Sequence, residues 1–155
     1  MVQPALRRVI DRHSQAAKFI TNGRAEVSVF WTDEHGTRLK CRFDYLRVRT
    51  VCDVKTYAQR DGMHPVEAFC MARDRFCYDL QAAHYMDARL NVLPRLVAEG
   101  RIFSCVDPQS DTWQVGGTPE DVAFFAKVAA YTEPSWWWLA CSTMGVPECD
   151  PVEFP

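Results

Sequence analysis

The chain has 155 residues, of which 48% are hydrophobic and 25% are charged. These values are typical of one soluble globular domain and exclude a disordered or fibrous chain. The longest apolar run, at residues 136–141, is far shorter than the roughly 18 residues of a membrane-spanning helix. Seven cysteines without a Cys-x-x-Cys pair argue against a zinc knuckle and favour reduced thiols in an intracellular, cytoplasmic setting. We therefore expect a single domain over residues 1–155 and no membrane partner.

Charge is unevenly distributed along the chain. The net charge is −2 overall, but residues 1–60 carry +6 and residues 61–155 carry −8. A basic half on a near-neutral chain can present a surface to a polyanion. Scattered solubilising charges explain the same asymmetry, so both interpretations stay open at this point.

The first third of the chain predicts one helix and three strands. Apolar residues from about residue 4 to residue 20 recur at helical spacing, and Asn22-Gly23 ends the helix. Apolar and polar residues then alternate in three segments, over residues 26–31, 39–46 and 50–55. Short turns separate these segments, which predicts an antiparallel meander.

The middle of the chain predicts a long helix and a fourth strand. Helical spacing begins at Pro65, which suits a first helical turn, and continues to about residue 93, where Pro94 is expected to stop it. Residues 102–106 predict the strand.

The last third predicts a helix and a buried strand. Thr118-Pro119, followed by two acidic residues, is typical of a helix start, and this helix is expected to run to about residue 131. Residues 136–142 predict a strand whose three tryptophans pack into the core on both faces; a platform for stacking bases is the alternative. The order α-βββ-α-β-α-β predicts an α/β (α+β) fold, in which helices flank a central mixed sheet.

Two carboxylates and a lysine fall on neighbouring predicted strands. Asp53 and Lys55 are two residues apart, so in a strand they point to one face while Val54 points to the other. Asp44 lies on the preceding strand and can meet them on the same side of the sheet. Carboxylate oxygens are the ligands that Mg²⁺ and Mn²⁺ prefer, and a neighbouring lysine can hold or polarise an attacking water. The pattern therefore favours metal-assisted hydrolysis of a phosphate ester.

An Asp-x-Lys triplet by itself is more often a surface ion pair of little energetic value. Three further residues strengthen the functional interpretation. Glu26 lies on the first predicted strand, and Gln81 and Tyr85 share one face of the following helix.

Four motifs, in this order, resemble those of the PDDEXK nuclease superfamily, and most closely those of its RecE-like branch, the proteins similar to exonuclease VIII and lambda exonuclease. Sequences of that branch typically read Glu-x-Ser-x-Phe-Trp, Cys-Lys-x-Arg-x-Asp-x-Leu, Asp-x-Lys-Thr and Tyr-x-x-Gln-x-x-x-Tyr. The corresponding segments here are Glu26-Val-Ser-Val-Phe-Trp31, Lys40-Cys-Arg-Phe-Asp44-Tyr-Leu46, Asp53-Val-Lys-Thr56 and Tyr78-Asp-Leu-Gln81-Ala-Ala-His-Tyr85. The resemblance covers about residues 10–90 and implies a PDDEXK-like nuclease domain with a restriction-endonuclease-like core.

The resemblance implies a role for each matching residue. Asp44 and Asp53 correspond to metal ligands, and Lys55 corresponds to the catalytic lysine. Glu26 resembles an acidic residue that binds the metal or positions water, and the backbone carbonyl of Val54 is a further candidate ligand. The implied cofactor is Mg²⁺, for which Mn²⁺ is expected to substitute.

Other residues are implied to support the site or to contact DNA. Gln81 and Tyr85 resemble a Gln-x-x-x-Tyr motif that does one or the other. Members of the family carry a histidine near the metal on an early helix, and His13 is available for this role, with a surface or packing role as the alternative. Basic residues near the site would track a phosphate backbone, or would simply form a solvated strand face: Arg38, Lys40, Arg42, Arg47 and Arg49.

The resemblance predicts a Mg²⁺-dependent DNA exonuclease that hydrolyses phosphodiester bonds at duplex ends and serves recombination or repair. One alternative is a catalytically weak DNA-end-binding or recombination partner module that keeps the nuclease fold. Another is an endonuclease of the same superfamily. The expected partners are duplex DNA ends, further copies of the chain in a homo-oligomer, and a single-strand annealing protein.

Overall fold

The computed structural model describes residues 14–58, 62–101, 105–106, 113–114, 118–142 and 149–153. Its α-helices are α1 (Ser14–Phe19), α2 (Pro65–Phe76), α3 (Tyr78–Asp87), α4 (Leu93–Ala98) and α5 (Pro119–Ala130), and a π-helix, Ala88–Val92, joins α3 to α4. Its strands are β1 (Arg24–Thr32), β2 (Arg38–Leu46), β3 (Thr50–Tyr57), β4 (Cys105–Val106), β5 (Trp113–Gln114), β6 (Ser135–Ser142) and β7 (Cys149–Glu153).

These strands form one mixed sheet in the order β5-β4-β1-β2-β3-β6-β7. β3 and β6 run parallel, from the pair Thr50↔Ser135 to the pair Tyr57↔Ser142. The other neighbouring strands pair antiparallel. The predicted mixed sheet with an antiparallel meander is therefore confirmed. A parallel pair needs a long crossover connection, and the segment from α2 to α5 provides it.

Apolar residues cover both faces of the sheet. On one face, Val27, Val29 and Phe43 are fully buried, because alternate residues of β1 and β2 point into a core that α2–α5 cover. The other face carries a smaller cluster beneath α1, which consists of Ala16, Cys52, Leu139 and Cys141. The predicted strand alternation is confirmed, and the larger core lies on the helical side.

The three consecutive tryptophans of β6 pack on both faces, as predicted. Trp136 and Trp138 are 2% and 1% exposed in the larger core. Trp137 points to the opposite face, where its ring centroid lies 5.0 Å from that of Phe19 in α1. The tryptophans therefore serve packing, and the alternative of a base-stacking platform is not supported.

The prediction of one continuous helix over residues 65–93 is wrong. α2 ends at Phe76, the next residue, Cys77, has a left-handed backbone (φ 52°, ψ 47°), and α3 begins at Tyr78. Such a conformation is uncommon for a residue with a side chain. No glycine or proline marks this break, so apolar spacing alone did not reveal it.

Pro94 does not stop the helical segment, contrary to the prediction. A proline inside an α-helix clashes with the carbonyl four residues earlier. Here the preceding turn is widened into the π-helix, in which the Leu93 N–H donates to the Ala88 carbonyl five residues back. The wider turn accommodates Pro94 in the first turn of α4.

Arg89 of the π-helix is completely buried and links two connections. Its Nη2 donates to the Val48 carbonyl over 3.1 Å and to the Tyr131 carbonyl over 3.2 Å. Val48 lies in the turn between β2 and β3, and Tyr131 follows α5. Burial lowers the pKa of Arg89 to about 10 because a low-dielectric interior disfavours the charge. The arginine therefore fixes the turn from which β2 and β3 diverge.

The remaining differences concern helix ends and edge strands. Thr118 caps α5 in a capping box with Asp121, as the sequence predicts. The predicted strand over residues 102–106 appears as β4, with residues 102–104 outside the described ranges.

β5 and β7 were not predicted. β7 contains Pro151 and pairs with β6 at the edge of the sheet, where proline is tolerated. Of the first predicted helix, residues 4–13 lie outside the described residues.

Candidate active site

β2 and β3 separate beside two aspartates. Their ladder consists of the two residue pairs next to the tight turn, and the next residues along the strands are Asp44 and Asp53. Beyond this ladder, the Val54 N–H donates to Asp44 Oδ2 over 2.8 Å, so a side-chain oxygen takes the place of a backbone acceptor. We call this point the fork. It brings the two predicted metal ligands together.

Asp53 and Lys55 point to the helical face of the sheet and form an ion pair. Lys55 Nζ lies 2.8 Å from Asp53 Oδ2, and the side chains are only 14% and 3% exposed. Val54, between them, packs against the smaller cluster on the other face. The predicted alternation is therefore confirmed. The low exposure argues against the alternative of a surface ion pair.

The fork is short of positive charge. Burial and, after it, the neighbouring Asp44 carboxylate raise the pKa of Asp53 from 3.8 to about 7. Lys55 opposes this shift through its charge and its hydrogen bond but does not cancel it. Asp53 therefore holds a proton near neutral pH unless another cation takes the place of that proton.

The donors at the fork suit Mg²⁺ or Mn²⁺. Mg²⁺ binds through one or two carboxylates and keeps several of its waters, and Asp44 and Asp53 supply two carboxylates. The Val54 carbonyl, between Asp53 and Lys55 in the chain, adds a hard oxygen donor. Within the described ranges, no group of three or more His, Cys, Asp or Glu side chains is placed to hold a metal. Among the described residues, a metal at the fork would therefore depend on these two carboxylates, the Val54 carbonyl and water.

Glu26 is placed differently from the two aspartates. Its backbone is left-handed (φ 55°) within β1, which is strained for a residue with a side chain. Its Oε2 lies 3.0 Å from Arg42 Nε, and its side chain is 12% exposed. The structure therefore places Glu26 beside a basic residue of β2 and does not assemble a three-carboxylate cluster with Asp44 and Asp53.

An aromatic ring closes the lysine side of the fork. Lys55 Nζ lies 4.8 Å from the ring centroid of Tyr78, within the range of a cation–π contact. Tyr78 begins α3 immediately after the left-handed Cys77, so the break between α2 and α3 sets its position. Sequence reasoning did not assign Tyr78 a role, although it is the first residue of the Tyr-x-x-Gln-x-x-x-Tyr motif.

The other two residues of that motif lie further along α3. Gln81 is half-buried, one turn after Tyr78. Tyr85 packs edge-on against Phe43 at 5.7 Å and Trp136 at 6.0 Å between ring centroids. Tyr85 thus anchors α3 to the sheet, and its contacts are with the core.

The five predicted DNA-binding residues do not form one patch. Arg38 and Lys40 are exposed at the start of β2, and Arg42 is half-exposed beside Glu26. Arg47 and Arg49 lie beyond the other end of β2, where Arg47 donates to the Lys18 carbonyl over 3.0 Å and Arg49 lies over the Tyr131 ring. The fork lies between the two groups. His13 lies outside the described residues.

One comparison with known proteins gives a match, to a family model. Residues 2–95, more than half of the chain, match the model of a PDDEXK-like domain of unknown function (DUF3799), so the chain belongs to this family and has a nuclease-type fold. No curated protein and no solved structure matches the chain. In the part of the chain that the structure describes, every helix is too short or too polar to cross a membrane.

Proposed function

We propose that the chain is a Mg²⁺-dependent deoxyribonuclease of the RecE-like type, an exonuclease that acts on duplex DNA ends in recombination or repair. The observation that carries this proposal is the fork, where Asp44, Asp53 and Lys55 converge on a PDDEXK-like fold. The four sequence motifs supply the RecE-like assignment.

Each residue of the fork has a role in the proposed hydrolysis. Asp44, Asp53 and the Val54 carbonyl would hold Mg²⁺, which when bound supplies positive charge against the negative charge that develops on the phosphate. Lys55 Nζ would hold the attacking water or a phosphate oxygen, because Asp53 and the Tyr78 ring fix its position. The water oxygen forms the new bond to phosphorus while one ester P–O bond breaks.

Digestion of matched DNA substrates tests the activity. Linear and covalently closed circular duplexes are incubated with Mg²⁺, Mn²⁺ or EDTA, for the wild type, Lys55→Ala and Lys127→Ala. Lys127 is an exposed lysine of α5 and serves as the matched control. We expect loss of the linear substrate alone, in either metal, for the wild type and the control only. Cutting of the circle would identify an endonuclease, and stability of both substrates would reject the nuclease assignment.

A second candidate function follows from the small number of carboxylates at the fork. The residues that the structure describes give the fork two carboxylates, and the pKa of Asp53 is raised, so metal binding at neutral pH must compete with a proton. A DNA-end-binding module that keeps the fold but cleaves weakly would have this property. Thermal denaturation with added Mg²⁺ separates the two functions, because a ligand that binds the folded state raises the Tm. A Tm increase that Asp53→Asn abolishes supports the enzyme, and no increase supports the module.

A further inference from the structure

A groove at the far end of the β1–β2 hairpin is not part of the fork. It has a volume of about 640 Å³ and is lined by residues of β1, β2 and α4 and by two residues that follow α4. We call it the hairpin groove and define it by six of its lining residues: Phe30, Arg38, Lys40, Arg95, Glu99 and Arg101.

The hairpin groove is strongly basic. Arg38 and Lys40 of β2 line it together with Arg95 of α4 and with Arg101, which follows α4. Glu99 is the carboxylate of the lining, and its Oε2 lies 3.8 Å from Arg101 Nη1. Four cations against one carboxylate leave a net positive lining. Such a lining attracts a polyanion.

Phe30 supplies an exposed aromatic surface within this basic lining. Its side chain is 54% exposed, and it pairs with Lys40 across the β1–β2 ladder. Its neighbour Trp31 points to the opposite face and is 8% exposed in the core. An exposed ring in a cationic lining matches the way single-stranded nucleic acids are bound, with bases stacked on aromatic side chains and phosphates in a basic groove. Inside a duplex, away from its ends, the bases are stacked on one another and offer Phe30 no free face.

The hairpin groove is connected to the proposed active site in two ways. Lys40 and Asp44 lie four residues apart on β2, a separation of roughly 13 Å along a strand. In addition, the ring of His84 in α3 stacks on Trp31 at 5.4 Å between centroids, and its Nε2 lies 3.4 Å from the Lys40 carbonyl. The helix that begins with Tyr78 thus also supports the wall of the groove.

We propose that the hairpin groove binds a single strand of DNA next to the active site, with a base stacked on Phe30 and phosphates held by the four cations. This inference rests on the proposed function for the identity of the nucleic acid. It adds to that function a single-strand site whose cations come from two segments, β2 and the segment from α4 to Arg101. Sequence reasoning assigned Arg38 and Lys40 to DNA but gave no role to Phe30, Arg95 or Arg101.

Binding without cleavage tests the proposal. Fluorescence anisotropy of labelled oligo(dT) and of a labelled duplex is measured in EDTA for the wild type, Phe30→Ala and Arg95→Gln/Arg101→Gln. Leu80→Ala and Arg75→Gln are the matched controls, since Leu80 is 67% exposed and Arg75 is exposed on α2. We expect Phe30→Ala to weaken oligo(dT) binding about tenfold with little effect on the duplex. The double variant should lower the salt slope of oligo(dT) binding by roughly 1.4, and the controls should bind as the wild type does.

The outcomes separate this proposal from the nuclease assignment. Wild-type cleavage together with unchanged oligo(dT) binding by both groove variants would reject the hairpin groove and leave the nuclease in place. Oligo(dT) binding that depends on Phe30, in a protein that cleaves no DNA, would support the groove and reject the nuclease. Absence of oligo(dT) binding by the wild type, or equal weakening for the duplex, would also overturn the groove proposal.

Discussion

The fork and the hairpin groove lie along the same strand, β2, and use charge in opposite ways. At the fork, Asp53 and Lys55 are 3% and 14% exposed, and burial beside Asp44 moves the pKa of Asp53 close to neutrality. In the hairpin groove, Arg38 and Lys40 are exposed, so water and dissolved salt screen their interactions with other charges. Buried charges interact strongly, but only with groups at fixed positions nearby. Exposed charges attract a polyanion from a distance, and dissolved salt shortens that distance. This difference is the basis of the two proposals, catalysis at the fork and strand binding in the hairpin groove.

Removing one charge from the fork should have the largest effect. Asp44→Asn keeps an oxygen that can accept the Val54 N–H but removes a carboxylate from the proposed metal site. We expect cleavage of linear duplex to fall by about 10³-fold, with the Tm nearly unchanged. The measurement is the single-turnover cleavage rate in saturating Mg²⁺. A rate within threefold of the wild-type rate would show that Asp44 holds no metal.

Two phenylalanines test the difference in burial between the regions. Phe43 is fully buried beneath the fork, and Phe30 is 54% exposed in the groove. Phe43→Ala should lower the free energy of unfolding by about 3–5 kcal/mol, whereas Phe30→Ala should change it by less than about 0.5 kcal/mol. Urea denaturation of both variants measures this. Equal losses would mean that Phe30 is part of the core.

Stability should depend on pH through Asp53. In the folded protein Asp53 binds a proton up to about pH 7, but an unfolded aspartate does so only up to about pH 4. Between these values unfolding releases a proton, so the contribution of Asp53 to stability is present below pH 4 and is lost as pH rises to 7.

Urea denaturation in EDTA from pH 4.5 to 8 measures this dependence. We compare the free energy of unfolding of the wild type with that of Asp53→Asn. Relative to the variant, the wild type should lose stability as the pH rises to about 7, and above that pH the difference should stay constant. A difference that does not change with pH would show that the folded environment leaves the proton affinity of Asp53 unaltered.

The smallest expected effect is on thiol reactivity, where the number of fast-reacting thiols should change by one. Burial raises the pKa of Cys41 and Cys52 to about 12, so both stay protonated at pH 8, whereas Cys77 is exposed. In a thiol titration of the native protein, Cys77→Ser should remove one fast-reacting group, and Cys41→Ser should remove none. Fast reaction of Cys41 would contradict its burial in the sheet.

Much of the fold and the central triplet could be predicted from sequence. The strands of the meander, the tryptophan strand and the cap at Thr118 follow from alternation and local hydrogen bonding, which neighbouring residues determine. Asp53 and Lys55 share a face for the same reason. The break at Cys77 and the continuation of the helix through Pro94 could not be predicted, because packing against the sheet and the π-helix stabilise them.

The sequence by itself determined which residues carry charge and which alternate, and therefore the mixed sheet and the pair of Asp53 with Lys55. Only the tertiary structure decided how β2 and β3 part at Asp44, that Arg89 fixes their turn, and that Tyr78 covers Lys55. It also decided that Arg95 and Arg101 of one segment line the same groove as Arg38 and Lys40 of another. The physical reason is that periodicity depends on backbone geometry over a few residues, whereas burial and the meeting of distant charges depend on how whole elements pack.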